Sequence, residues 1–167
     1  MITLKVDKLN REISQKLYDE IIESVDIHLL ECTCKRHNMV VHGYYSRNIK
    51  THNGNVELVI LRVRCKECGK THAVLISFIV PYQSIEMPVQ IEIITDKDIE
   101  KIMNDNPSID ELNVYRVKER FRSKYKAWMR SLNLTLEDDL VLESFRYFRS
   151  NFMQTHKGVY NLNIIST

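Results

Sequence analysis

Two close cysteine pairs carry the clearest chemistry in this chain: Cys32-Thr-Cys34 and Cys65-Lys-Glu-Cys68, separated by 30 residues. The second pair runs straight into Gly69, which gives the CxxCG form of a metal knuckle. In such a knuckle the turn aims backbone N–H groups at the thiolates, and the glycine permits the tight bend. Four thiolates arranged tetrahedrally about Zn²⁺, at about 2.3 Å, make a closed structural site. In a reducing compartment, paired cysteines are better read as ligands than as disulfides. No thioredoxin-like βαβ pattern surrounds them to support a redox role. The first pair is one residue shorter than the usual knuckle, and His37 follows Cys34 by three residues. Two ligand sets therefore stand: Cys32, Cys34, Cys65 and Cys68, which is preferred, or three thiolates with His37. The other histidines, His28, His42, His52, His72 and His156, are assigned to surface or packing roles.

A closed four-thiolate site leaves no open position for catalysis. None of the HExxH, GxSxG or HxE…PCxxC patterns occurs, and the Gly-rich phosphate loops GxGxxG and GxxxxGK[ST] are also absent. The acidic residues of 83–113 read as helix caps and surface groups, not as carboxylates converging on metals. The expectation is a protein that is not an enzyme. No apolar run approaches the length of a membrane span, and the first residues are charged with no signal core. The chain is expected to work in the cytoplasm.

The formal net charge of 167 residues is only +2, but it is sorted into blocks. Residues 1–31 carry −3, 32–82 carry +6, 83–113 carry −6, 114–134 carry +6 and 135–167 carry −1. The densest basic block is Arg116, Lys118, Arg120, Arg122, Lys124, Lys126 and Arg130. On one helix, Arg116/Arg120/Lys124 and Lys118/Arg122/Lys126/Arg130 would form two i, i+4 rows. Such a face suits a phosphate backbone, with binding that weakens steeply as salt rises. The cysteine-rich segment adds Arg36, Arg47, Lys50, Arg62, Arg64, Lys66 and Lys70, with Tyr44 and Tyr45 placed to stack on a base. The competing arrangement lays the acidic 83–113 block against the basic helix.

The elements that must position these groups follow from periodicity. Ile2–Val6 alternates like a short strand. Ile13, Leu17, Ile21 and Val25 mark an amphipathic helix. Met39–Tyr45, Val56–Val63 and Thr71–Val80 read as strands, with Thr51–Asn55 as the turn and its Asn53-Gly54 as the hairpin signal. Cysteines, hairpin, cysteines, strand is a zinc-ribbon layout, in which metal holds a sheet too small to hold itself. From Ser84 the chain turns helical. Capping-box patterns begin at Thr95, Ser108 and Thr135. They predict helices over 96–104, about 108–132 and 135–154, the last ending near Gly158. Short helix, turn, long basic helix resembles a helix-turn-helix.

Several strings look like the zinc-ribbon head of bacterial transposase-type proteins: His42-Gly-Tyr-Tyr-Ser-Arg47, then Arg62-Val-Arg-Cys65-Lys-Glu-Cys68-Gly-Lys-Thr-His72-Ala-Val-Leu75, then Val80-Pro-Tyr82. Asn106-Pro-Ser-Ile-Asp110, Tyr125, Trp128, Phe152-Met-Gln-Thr and Asn161-Leu resemble a family of unknown function carried on mobile elements. The resemblance runs from about residue 30 to the end. It implies a zinc-binding, DNA-associated protein without a nuclease domain, with DNA and a protein of a transposition system as partners. By position, Cys34, Cys65 and Cys68 match the ligands. The remaining ligand position falls at Glu31, one residue before Cys32. His42 and His72 match family positions without a known role.

The expected fold class is α+β, with a small zinc-ribbon β unit flanked by an N-terminal helix and a C-terminal helix-turn-helix-like bundle. The divisions are 1–31, 32–82 and 83–167. The expected function is DNA binding, in which Arg116, Lys118, Arg120, Arg122, Lys124, Lys126, Arg130, Arg47, Lys50, Arg62 and Arg64 contact the nucleic acid and Cys32, Cys34, Cys65 and Cys68 hold structural Zn²⁺. The alternative is a protein-interaction module that uses the ribbon as its docking surface.

Overall fold

Alternation of β-branched and polar residues from Met39 to Cys65 produces two long antiparallel strands, β2 (Met39–Thr51) and β3 (Gly54–Cys65). They form one side of a five-stranded mixed sheet in a computed structural model that describes residues 1–6, 12–96, 98–131, 144, 153–154 and 159–165. Antiparallel β4 (Thr71–Ile76) follows β3, then β1 (Ile2–Val6) and β5 (Val159–Ile165), both parallel to β4. The strand order is β2-β3-β4-β1-β5. Ile2, Leu4 and Val6 are buried, as is Thr3 between them, which is the pattern of a strand covered on both faces.

Helix α1 (Gln15–Glu23) starts at Ser14, whose hydroxyl accepts the Leu17 N–H at 3.2 Å. Its buried Leu17, Tyr18 and Ile21 pack on the sheet. The Tyr18 hydroxyl accepts the Leu61 N–H at 3.0 Å and donates to the Val74 carbonyl at 2.7 Å. The β3–β4 ladder ends at the Arg62–Ala73 pair, so this hydroxyl stands where the Leu61–Val74 rung would be. β4 is thereby freed to turn toward β1 while both buried backbone groups stay satisfied.

The α+β class expected from the sequence is the one found. The isolated small ribbon is not. Residues 2–6 lie in the same sheet as the hairpin, and Leu58, Ile60, Leu61 and Val63 are buried in one core with α1 and β1. The hairpin turn falls inside the expected Thr51–Asn55 segment. Thr51 pairs with Gly54 across His52-Asn53, and Gly54 supplies the positive φ of +111°.

The helical half comprises α2 (Met87–Thr95), α3 (Ile99–Asp105), α4 (Glu111–Arg120) and α5 (Lys126–Ser131). The capping expectations shift here. Thr95 donates its hydroxyl back to Ile91 and Glu92, ending α2, and Asp98 caps α3 by accepting the Lys101 N–H at 3.1 Å. Ser108 donates to the Thr51 carbonyl, and Asp110 caps α4 by accepting the Asn113 N–H at 2.7 Å. α2, α3 and α4 touch one another around Val89, Ile93, Ile102, Val114 and Val117. Phe78 packs against both this core and the core of the sheet. Apart from Ser144, Met153 and Gln154, the helix expected over 135–154, with its Thr135 cap and Gly158 stop, lies outside the described residues.

The two halves are joined at the hairpin tip. The Lys50 N–H donates to Ser84 O at 2.6 Å and the Glu86 N–H to Lys50 O at 3.1 Å, while the His52 N–H donates to the Glu86 carboxylate at 3.1 Å. His52 Nδ1 lies 3.4 Å from Glu92 Oε2, and Lys50 Nζ lies 3.8 Å from Asp110. Burial raises the Glu86 carboxyl above the ordinary glutamate range, against the pull of the His52 N–H and ring.

Candidate metal centre and basic face

The four cysteines reach one point from two turns. In the first, Lys35 N–H closes on Cys32 O at 2.8 Å and Cys32 N–H on Arg36 O at 3.0 Å. In the second, Gly69 N–H closes on Cys65 O at 2.9 Å and Cys65 N–H on Lys70 O at 2.9 Å. The residue after the second cysteine of each pair is left-handed: Lys35 at φ 60° and Gly69 at φ +72°. The two turns therefore share a left-handed residue after the second cysteine, although the first is closed three residues on and the second four. Lys35 occupies a place where glycine is favoured, because a Cβ there costs about 1–2 kcal/mol. Lys35→Gly is expected to raise stability by about 1 kcal/mol, read as a higher denaturant midpoint with unchanged slope.

Cys32 Sγ lies 3.5 Å from Cys68 Sγ, and Cys34 Sγ lies 3.8 Å from Cys65 Sγ. All four sulfurs fall within 4.8 Å of one another. A regular tetrahedron with metal–sulfur bonds of about 2.3 Å has edges of about 3.8 Å, so the cluster matches a single metal ion in size. The spacing far exceeds a disulfide bond of about 2.05 Å, and the cysteines are free thiols. Burial raises the Cys32 thiol, but hydrogen bonds from the Cys34 N–H, Cys68, His72 and Thr33 outweigh it and bring the thiol down. Cys34 is pushed up, first by burial and then by its share of hydrogen bonds with the other three sulfurs. Crowded thiols cannot all ionise unaided, and a divalent cation removes that conflict. The centre can thus hold a metal ion through four thiolates.

The alternative ligand does not reach. His37 is exposed and its Nδ1 sits 2.6 Å from Leu29 O. Cys32 is fully buried within the cluster. His72, which the sequence reading left to surface or packing roles, is 4% exposed with Nε2 3.2 Å from Cys32 Sγ. It was legible as the one polar residue among the inward positions 72, 74 and 76 of β4.

Residues 31–113 match a family model described as a domain of unknown function (DUF6431). No curated protein and no solved structure matches the chain. The matched segment spans both knuckles, the hairpin and the acidic helices, and it stops before most of α4.

The basic residues divide by environment. Lys118 donates to Asp96 O at 3.1 Å, and Arg120 to Gln83 Oε1 at 2.6 Å, with burial lowering the Arg120 guanidinium from its ordinary value. Arg47 is bound by two carbonyls, Val80 O at 2.8 Å and Gln83 O at 2.5 Å. Lys50 faces Asp110, and half-buried Arg62 donates to Thr71 Oγ1 at 3.3 Å. Arg116, Arg122, Lys126 and Arg130 are exposed and have no carboxylate within ion-pair distance among the described residues. At the metal end Lys35, Arg36, Arg64, Lys66 and Lys70 are exposed. The side chain of Lys124 lies outside the described residues.

The helix expected as one uninterrupted run from 108 to 132 contains a π-helical turn at Phe121–Tyr125, where Lys126 N–H bonds Phe121 O. The extra residue in that turn breaks the two i, i+4 rows drawn from the sequence. The acidic block does not blanket the basic face. Its carboxylates cap α3 and α4 (Asp98, Asp110), pair with Lys101 (Asp96) and hold the hairpin tip (Glu86, Glu92). No helix among the described residues is long and apolar enough to cross a membrane.

Proposed function

We propose that the protein is a non-catalytic DNA-binding protein whose four-thiolate centre holds structural Zn²⁺. Tetrahedral all-sulfur coordination suits zinc, and the full ligand set leaves no open position for chemistry. The observation that carries the DNA reading is the exposed cationic surface of Arg116, Arg122, Lys126 and Arg130, none of which has a carboxylate within ion-pair distance among the described residues. Lys126 and Arg130 keep i, i+4 spacing on α5, and Arg122 projects from the π-helical turn just before it. In this reading α3 and α4, joined by residues 106–110, form a helix-turn-helix-like pair. The exposed lysines and arginines at the metal end add phosphate contacts. The resemblance to transposase-type heads supports association with a mobile element and action in the cytoplasm on its DNA.

The test is a mobility shift with random duplex DNA across a salt series. The protein is expected to bind at about 50 mM salt, and log K to fall linearly with log salt. Arg122→Glu/Lys126→Glu/Arg130→Glu should reduce that slope by about 2.7, at about 0.9 per phosphate contact. A folded, metal-loaded protein that fails to bind would overturn the reading. That result favours a second one, a protein-docking ribbon, for which the exposed Val41 and Tyr44 on edge strand β2 are the supporting observation.

A further inference from the structure

We propose that His72 is a positioning residue for the metal centre: it donates its Nε2–H to the Cys32 sulfur and holds that ligand as a buried, charge-compensated thiolate. The inference rests on the reading of the four cysteines as a metal site.

Local sequence places the imidazole. β4 alternates outward Thr71 and Ala73 with inward His72, Val74 and Ile76, and Val63 opposite His72 is buried too. A histidine on this apolar face needs partners for both ring nitrogens, since an unpaired polar group in a core is costly. It has them. Nε2 lies 3.2 Å from Cys32 Sγ, and Nδ1 lies 3.3 Å from the Met1 nitrogen. A metal-bound thiolate has no proton to give, so the ring must be the donor, and that requires the proton on Nε2.

The four sulfurs are not equivalent. Cys68 is exposed and Cys34 half-buried, so water can solvate part of their charge, whereas Cys32 and Cys65 are buried. Four thiolates around one divalent cation carry a net −2, and the buried sulfurs must be compensated by donors instead of water. Cys32 is the ligand farthest from the standard spacing, and it is the one served by a side-chain N–H. An N–H···S bond withdraws electron density from the sulfur, making it less nucleophilic and fixing its direction toward the metal.

The test uses the full chain loaded with cobalt(II), whose thiolate-to-metal charge-transfer bands report sulfur electron density. Wild type should show those bands. Their absence would sink the metal site itself, and the inference with it. His72→Phe keeps the ring volume and removes the donor. It is expected to shift the bands to lower energy, weaken metal affinity about 10–100-fold and speed alkylation of Cys32. His72→Gln, which can place an amide N–H near the Nε2 position, should restore much of each. Normal bands in wild type with no change in His72→Phe would overturn the inference and leave the metal site standing. A glutamine variant as impaired as phenylalanine would also overturn it, by showing that packing alone is at work. Should the phenylalanine variant not fold, the wild-type protein loaded with an NMR-active cadmium isotope decides. A through-bond coupling from the His72 ring N–H to cadmium is expected, and an Nδ1–H tautomer would overturn the proposal.

Discussion

Stripping the metal from the reduced protein is expected to lower its melting temperature by about 8–16 °C and to leave the sheet folded. The size follows from linkage. A metal present at about a thousand times its dissociation constant contributes about 4 kcal/mol, and each kcal/mol moves the midpoint of a chain this size by about 2–4 °C. Survival of the sheet follows from its core. Ile2, Leu4, Leu58, Ile60, Val74 and Ile76 are buried together with α1 in one core, of which Cys32 and Cys65 are only two members. Hydrogen exchange should therefore accelerate at 31–38 and 65–70, where the two turns are closed by only a few backbone bonds. Protection in β1, β3 and β4 should persist. Far-ultraviolet dichroism that collapses on chelation would show instead that the metal holds the whole sheet, as the ribbon reading of the sequence supposed.

Arg47→Ala is expected to cost about 2–4 kcal/mol, because it orphans the carbonyls of Val80 and Gln83 that its guanidinium now satisfies. The signature is a lower denaturant midpoint with little change in slope. Arg47→Lys should recover only part, since a point charge cannot span two acceptors as a planar fork does. The salt dependence of DNA binding by the folded variant should stay that of wild type. A fall of about 0.9 in that slope with unchanged stability would return Arg47 to the set of phosphate contacts where the sequence had placed it.

Arg47 shows where reading the sequence loses its grip. Charge is visible in a sequence, but the acceptors that claim it are not. The Val80 and Gln83 carbonyls lie more than thirty positions away and come within reach only because the hairpin tip docks on the helical half. Lys118 and Arg120 are diverted in the same way, to Asp96 and Gln83. The cysteines were legible because a metal site is specified by residue type and short spacing, and even the irregular first pair closes correctly once Lys35 takes the left-handed conformation. The positions of β1, β3, β4 and α1 followed from periodicity, whereas β5 was not among the strands read from it. Sheet order did not follow either, because nothing local says that residues 2–6 will insert between β4 and β5. The π-helical turn was also hidden, since one extra residue in a helix leaves its composition unchanged.

The hairpin has a length as well as a register. β2 runs without a break in pairing from Met39, opposite Cys65 at the metal end, to Thr51, at the junction with the helices, apart from one bulge near Gly43. At about 3.3 Å per residue, those twelve steps span about 40 Å, somewhat less with twist. One turn of duplex DNA measures about 34–36 Å. Under the proposed DNA reading, a duplex that touched both the metal end and the helical junction would have to extend over about one helical turn.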